Sequence, residues 1–219
     1  ADLPMRAERT KSVTEELKKF GKYPSFSKKG LIYDSFRKYT ENEIKQVAHQ
    51  TNFIADKYVS KESKWSGNII IDPIDNITGK RWTCDISVMS ETSPHIILHE
   101  QLHARSVSYF DRKVYKKCLN IEEASVQFLT QEISKLENIE IIESVYDNMV
   151  DELRNINRIA KFKEKDIDFA KELFSIDLDK RFEWLENKVS QFAIDCGDLE
   201  MASEIYECVD AIERWKYIG

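Results

Sequence analysis

The chain has 219 residues and a mass of 25.7 kDa, with 42% hydrophobic and 33% charged residues. That mix can bury a sizeable core and excludes a disordered tail, and with 6 Gly and 4 Pro it excludes collagen-like and linker-like chains too. The 33 Lys and Arg against 39 Asp and Glu leave a net charge of −6, which argues against nucleic-acid binding, since that draws most of its affinity from a basic face.

No apolar run approaches the roughly 20 residues needed to span a bilayer, and the N-terminus lacks a signal-type apolar region. A cytoplasmic chain without membrane association is therefore expected. Cys84, Cys118, Cys196 and Cys208 show no C-x-x-C spacing, which fits reduced thiols in such a compartment.

Helix breakers divide the chain. All four prolines and four of the six glycines fall in residues 1–94, whereas 95–196 contain neither. A mixed first part and a helical second part follow, an α+β fold that is predominantly helical. Residues 5–20 read as a charged helix closed by Gly21 and Pro24. Thr40 and Glu43 form a capping box, after which Ile44, Val47, Ala48, Thr51, Ile54, Ala55 and Tyr58 recur at helical spacing. Ile69-Ile70-Ile71 is a short β-branched strand. Turn residues at 75–79 then lead to Trp82, Cys84 and Ile86, which alternate with Arg81, Thr83 and Asp85 as in a half-exposed edge strand.

Ser93 and Pro94 suit the N-cap and first position of a helix reaching about Ser106. A further helix is expected from near Asn120 to about Leu136. Ile142, Val145, Met149, Leu153 and Ile156 form one apolar stripe, and Leu178, Phe182, Leu185, Val189, Phe192 and Cys196 a second that stops at Gly197. Asp198 restarts a third stripe through Ala202, Ile205, Val209 and Ile212. The expected division is a core over 1–138 and a C-terminal helical subdomain over 139–219.

The chemistry is concentrated in His99-Glu100-Gln101-Leu102-His103. The chain has 4 histidines, and His95, His99 and His103 lie within nine residues. Residues four apart on a helix share a face, so the imidazoles of His99 and His103 can take adjacent corners of a tetrahedral Zn²⁺. Glu100, one step round the helix, is suited to take a proton from water. An extended H-E-x-x-H-x-x-G-x-x-H site is excluded because Ser106 and Tyr109 stand where Gly and His are needed. His95 lies about 12 Å along the axis from His103, too far for one ion to serve all three histidines. Glu122 and Glu123 remain as carboxylate candidates, and Glu123 also fits a capping box with Asn120. Tyr109, Tyr115, Arg105, His95 and His49 are candidates to stabilise an oxyanion.

These residues resemble the gluzincin, thermolysin-like zinc metallopeptidases, in which an H-E-x-x-H helix is followed about 20 residues later by a glutamate ligand on a second helix. The resemblance covers residues 81–128. It implies a zincin-like core with Zn²⁺ held by His99, His103 and Glu123, Glu100 as catalytic base, and a peptide or protein substrate docked along the strand at 81–87. Gln127 stands where that class often has an acidic residue. The run from Ser93 through Ser106, with Glu122 and Glu123, also looks like zincin-type domains of phage head-associated or mobile-element proteins. The expected function is thus a zinc-dependent peptidase. The alternative is a zincin-like structural or interaction module with an upstream domain or assembly partner.

Overall fold

A computed structural model describes residues 30–73 and 84–217. The helix expected over 5–20, the turns at 75–79, and Arg81, Trp82 and Thr83 lie outside these residues. The fold is α+β and predominantly helical, with two small sheets. The chain divides into two compact units, neither of them continuous in sequence: 1–105 with 133–145, and 106–132 with 146–219.

In the first unit, strand β1 (Arg37–Lys38) leads into helix α1 (Glu41–Tyr58). Thr40 caps α1, its hydroxyl accepting from the Glu43 N–H while the Glu43 carboxylate accepts from the Thr40 N–H at 2.8 Å. The expected apolar stripe from Ile44 to Ala55 is the buried face of this helix. Strand β2 (Ile69–Ile71) pairs in parallel with β3 (Ile86–Val88), in the register Ile69 with Ile86 and Ile71 with Val88. Of the expected half-exposed strand, only the part from Cys84 on is described: Cys84 and Asp85 are half-buried and precede β3, and all three β3 residues are buried, so those three show no in–out alternation. Strand β4 (Glu91–Thr92) pairs antiparallel with β1.

Helix α2 (Pro94–His103) follows directly, with the Ser93 hydroxyl accepting from the Ile96 N–H at 3.2 Å and Pro94 in the first turn. It ends three residues before the expected Ser106. The Arg105 N–H reaches the Leu102 carbonyl at 2.9 Å, the tighter bonding common at a last turn. Ile142 packs on Phe36 and Ile96, so it belongs to this core and not to the helical stripe in which the sequence places it.

The second unit contains α3 (Arg112–Lys117), most of α4 (Leu119–Glu137), α5 (Asp147–Ala160), α6 (Asp166–Ser175), α7 (Leu178–Cys196) and α8 (Leu199–Arg214). Met149, Leu153 and Ile156 are buried on α5, Leu185 and Val189 on α7, and Ile205, Val209 and Ile212 on α8. Gly197 ends α7 at φ 64°, a left-handed conformation that costs glycine nothing, and the Asp198 carboxylate caps α8 by accepting from the Met201 N–H at 3.0 Å. No helix among the described residues is long and apolar enough to cross a membrane, and all four cysteines are free thiols.

Candidate metal centre

Every residue of α2 is buried, so its polar side chains must find partners inside the protein. One of them, together with Arg105 just past the helix, ties α2 to α1. The Gln101 amide donates to the Ala48 carbonyl at 2.8 Å. The guanidinium of Arg105, just past the helix, donates to Asn52 Oδ1 and Asp56 Oδ1, both at 2.6 Å, and back to the Gln101 carbonyl at 3.2 Å. Such bonds across two packed helices resist rotation of α2 about its axis, and that rotation decides where the histidines point.

The Nε2 atoms of His99 and His103 are 3.0 Å apart, with the rings edge to face at a centroid separation of 4.6 Å. Two nitrogens each about 2.05 Å from one tetrahedral zinc would be separated by about 3.3 Å. The observed approach therefore needs only a small opening to admit an ion. A carboxylate oxygen of Glu100 belongs to the same group, whose ligand atoms all lie within 4.8 Å of one another, and the residues are 6%, 3% and 0% exposed. Two imidazoles and a carboxylate gathered in a buried place form a donor set able to hold a metal ion.

His95, one turn earlier, donates to or accepts from the Ser134 hydroxyl through Nδ1 at 3.0 Å. Burial, reinforced by the charge that His99 can carry, pushes its pKa down to about 3, which keeps the ring neutral. Among the other oxyanion candidates, Arg105 is committed to Asn52 and Asp56, and His49 is exposed with its ring 5.3 Å from that of Trp65.

Glu122 and Glu123 lie on α4 in the second unit, both fully buried. Glu122 is bound by the buried guanidinium of Arg181, whose Nη1 is 2.7 Å from its Oε2, and by the Ser106 hydroxyl at 2.7 Å. Arg181 also donates to Ser125 Oγ, Ser106 Oγ and the carbonyls of Phe174 and Ile176. Glu123 Oε1 instead accepts from the Tyr115 hydroxyl at 2.8 Å. The capping box that the sequence allows as the other use of Glu123 does not form. Asn120 lies inside α4, and its amide donates to the carbonyls of Ile212, Glu213 and Trp215 at the end of α8. Gln127 donates to Asp147 Oδ1 at 3.1 Å.

Sequence reasoning missed Arg181, Ser106, Ser125 and Ser134 as parts of these networks. None carries a local signal, because their side-chain partners are 16 to 75 residues away. Neither a protein-family model, nor a curated protein, nor a solved structure matches the chain.

Proposed function

We propose that the protein is a zinc-dependent peptidase with His99, His103 and Glu123 as metal ligands and Glu100 as general base. The observation that carries this reading is the gathering of two imidazole nitrogens 3.0 Å apart and the Glu100 carboxylate within one buried group. The spacing from His103 nominates a glutamate at 122 or 123, and contacts within the helical unit favour Glu123. Glu122 is the counter-ion of a buried arginine, whereas Glu123 is oriented by a neutral phenol, the kind of outer partner that metal-ligating carboxylates use. Tyr115 thereby supplies the orientation that Gln127 does not.

A zinc ion in this donor set supplies Lewis-acid polarisation of a carbonyl and acidifies water. The chain's own residues do the rest. Glu100 accepts the proton of the attacking water through one carboxylate oxygen and returns it to the leaving amide nitrogen. The α1–α2 bonds made by Gln101 and Arg105 hold His99, Glu100 and His103 in one orientation. His95, kept neutral, adds no positive charge beside the ligands.

The near-closure of the centre, with no member more than 6% exposed, favours a second reading in which the metal staples a structural or interaction module. Metal analysis of the purified chain combined with a broad peptide-library digest separates the two. Stoichiometric zinc with cleavage that is lost in Glu100→Gln supports the peptidase. Zinc without cleavage at high protein load supports the module, and absence of zinc defeats both.

A further inference from the structure

The end of the α7–α8 hairpin is apolar and acidic at once. Ile194, in the last turn of α7, is 74% exposed; Leu199, the first residue of α8, is 90% exposed; Met201 in the same turn is 37% exposed. Tyr206, 42% exposed, is seven residues from Leu199 and therefore on the same helical face. Single exposed apolar residues are ordinary; here Ile194 and Leu199 flank one short turn, Tyr206 continues the face of Leu199 two helical turns along, and Met201, about 200° round from Leu199, faces elsewhere.

The charge that the hairpin's own residues bring to this end has one sign. No Lys or Arg occurs between Lys188 and Arg214, while Asp195, Asp198, Glu200 and Glu204 surround the turn. Glu204 pairs with Arg158 at 2.9 Å, and Asp198 is used as a helix cap. Further along the hairpin, burial and then the neighbouring charges of Glu213, Glu183 and Asp210 raise the pKa of Glu186, so carboxylates of the two helices stand near one another there.

We propose that the end of this hairpin docks a basic amphipathic segment of a partner protein. The partner's apolar side chains cover Ile194 and Leu199, and its Lys or Arg side chains face Asp195 and Glu200. Charge selects this occupant. A second copy would bring the same carboxylates against one another, and nucleic acid or an anionic bilayer would be repelled for the same reason.

The test uses the full chain and a labelled helical peptide of Lys and Leu, about 18 residues long so that it can form several turns, with a Glu-for-Lys peptide as control. Fluorescence anisotropy is expected to show saturable one-to-one binding of the Lys peptide and none of the control. The exposed-site variant Ile194→Ser/Leu199→Ser, with its fold checked by circular dichroism, is expected to weaken binding by roughly tenfold or more, a loss of about 1.4 kcal/mol. Asp195→Asn/Glu200→Gln is expected to weaken it and to reduce its salt dependence. Equal binding by the Ile194→Ser/Leu199→Ser variant would overturn the proposal, because charge alone would then be responsible. No binding at all would overturn it, as would self-association in sedimentation that the same variant abolishes.

Discussion

At the residue scale, the Glu100 carboxylate lies within 4.8 Å of the His99 and His103 nitrogens and is 3% exposed, which suits proton transfer more than surface binding. Glu100→Gln is expected to retain bound metal and to lose about 10²–10⁴-fold in peptide hydrolysis, as measured by turnover of a cleaved library peptide. Arg181 presents a different kind of buried charge. Burial draws its pKa below the ordinary value while Glu122 draws it back up, so the pair is coupled. Arg181→Met leaves the Glu122 carboxylate buried without its counter-ion and is expected to cost about 3–5 kcal/mol in urea unfolding. Adding Glu122→Gln should recover part of that loss.

His95 gives a pH dependence whose sign follows from its lowered pKa of about 3, against an ordinary 6.5. Between those values the unfolded chain binds the proton and the folded chain does not. The stability contributed by the neutral ring is therefore fully present above pH 6.5 and is lost as pH falls toward 3. With a chelator present, His95→Gln is expected to flatten the fall in unfolding free energy between pH 6.5 and 4.5, by up to about 1.4 kcal/mol per pH unit.

At the scale of elements, the caps should be separable from the site. Ser93→Ala removes the hydroxyl that accepts from the Ile96 N–H and is expected to cost about 1 kcal/mol. Gly197→Ala meets no atom within 4 Å of the added methyl, so its cost of about 1 kcal/mol comes from the left-handed backbone alone. Both are checked by thermal unfolding. These features were legible because they are local: Thr40 with Glu43, Ser93 with Pro94, and Gly197 with Asp198 each announce a helix boundary within a few residues. The same local rule offers Asn120 as a cap, whereas its amide serves carbonyls 92 or more residues away at the end of α8. Strands β1 and β4 have two residues each, too few to show a period, and α3 is a six-residue, mostly basic helix with no apolar stripe. All three β3 residues are buried, a burial of both faces that a pattern of alternation cannot reveal.

At the scale of the whole molecule, the H-E-x-x-H pair was legible because one helix carries both histidines. The pairing of Glu122 was not legible, since its counter-ion Arg181 lies 59 residues further along. The account rests on a metal ion between His99 and His103, and metal content of the purified chain tests it most directly. Inductively coupled plasma mass spectrometry is predicted to find one zinc per chain after dialysis against micromolar zinc, falling to background in His99→Ala and in His103→Ala. Background zinc in the unaltered, folded chain, or undiminished zinc in both variants, would contradict the account.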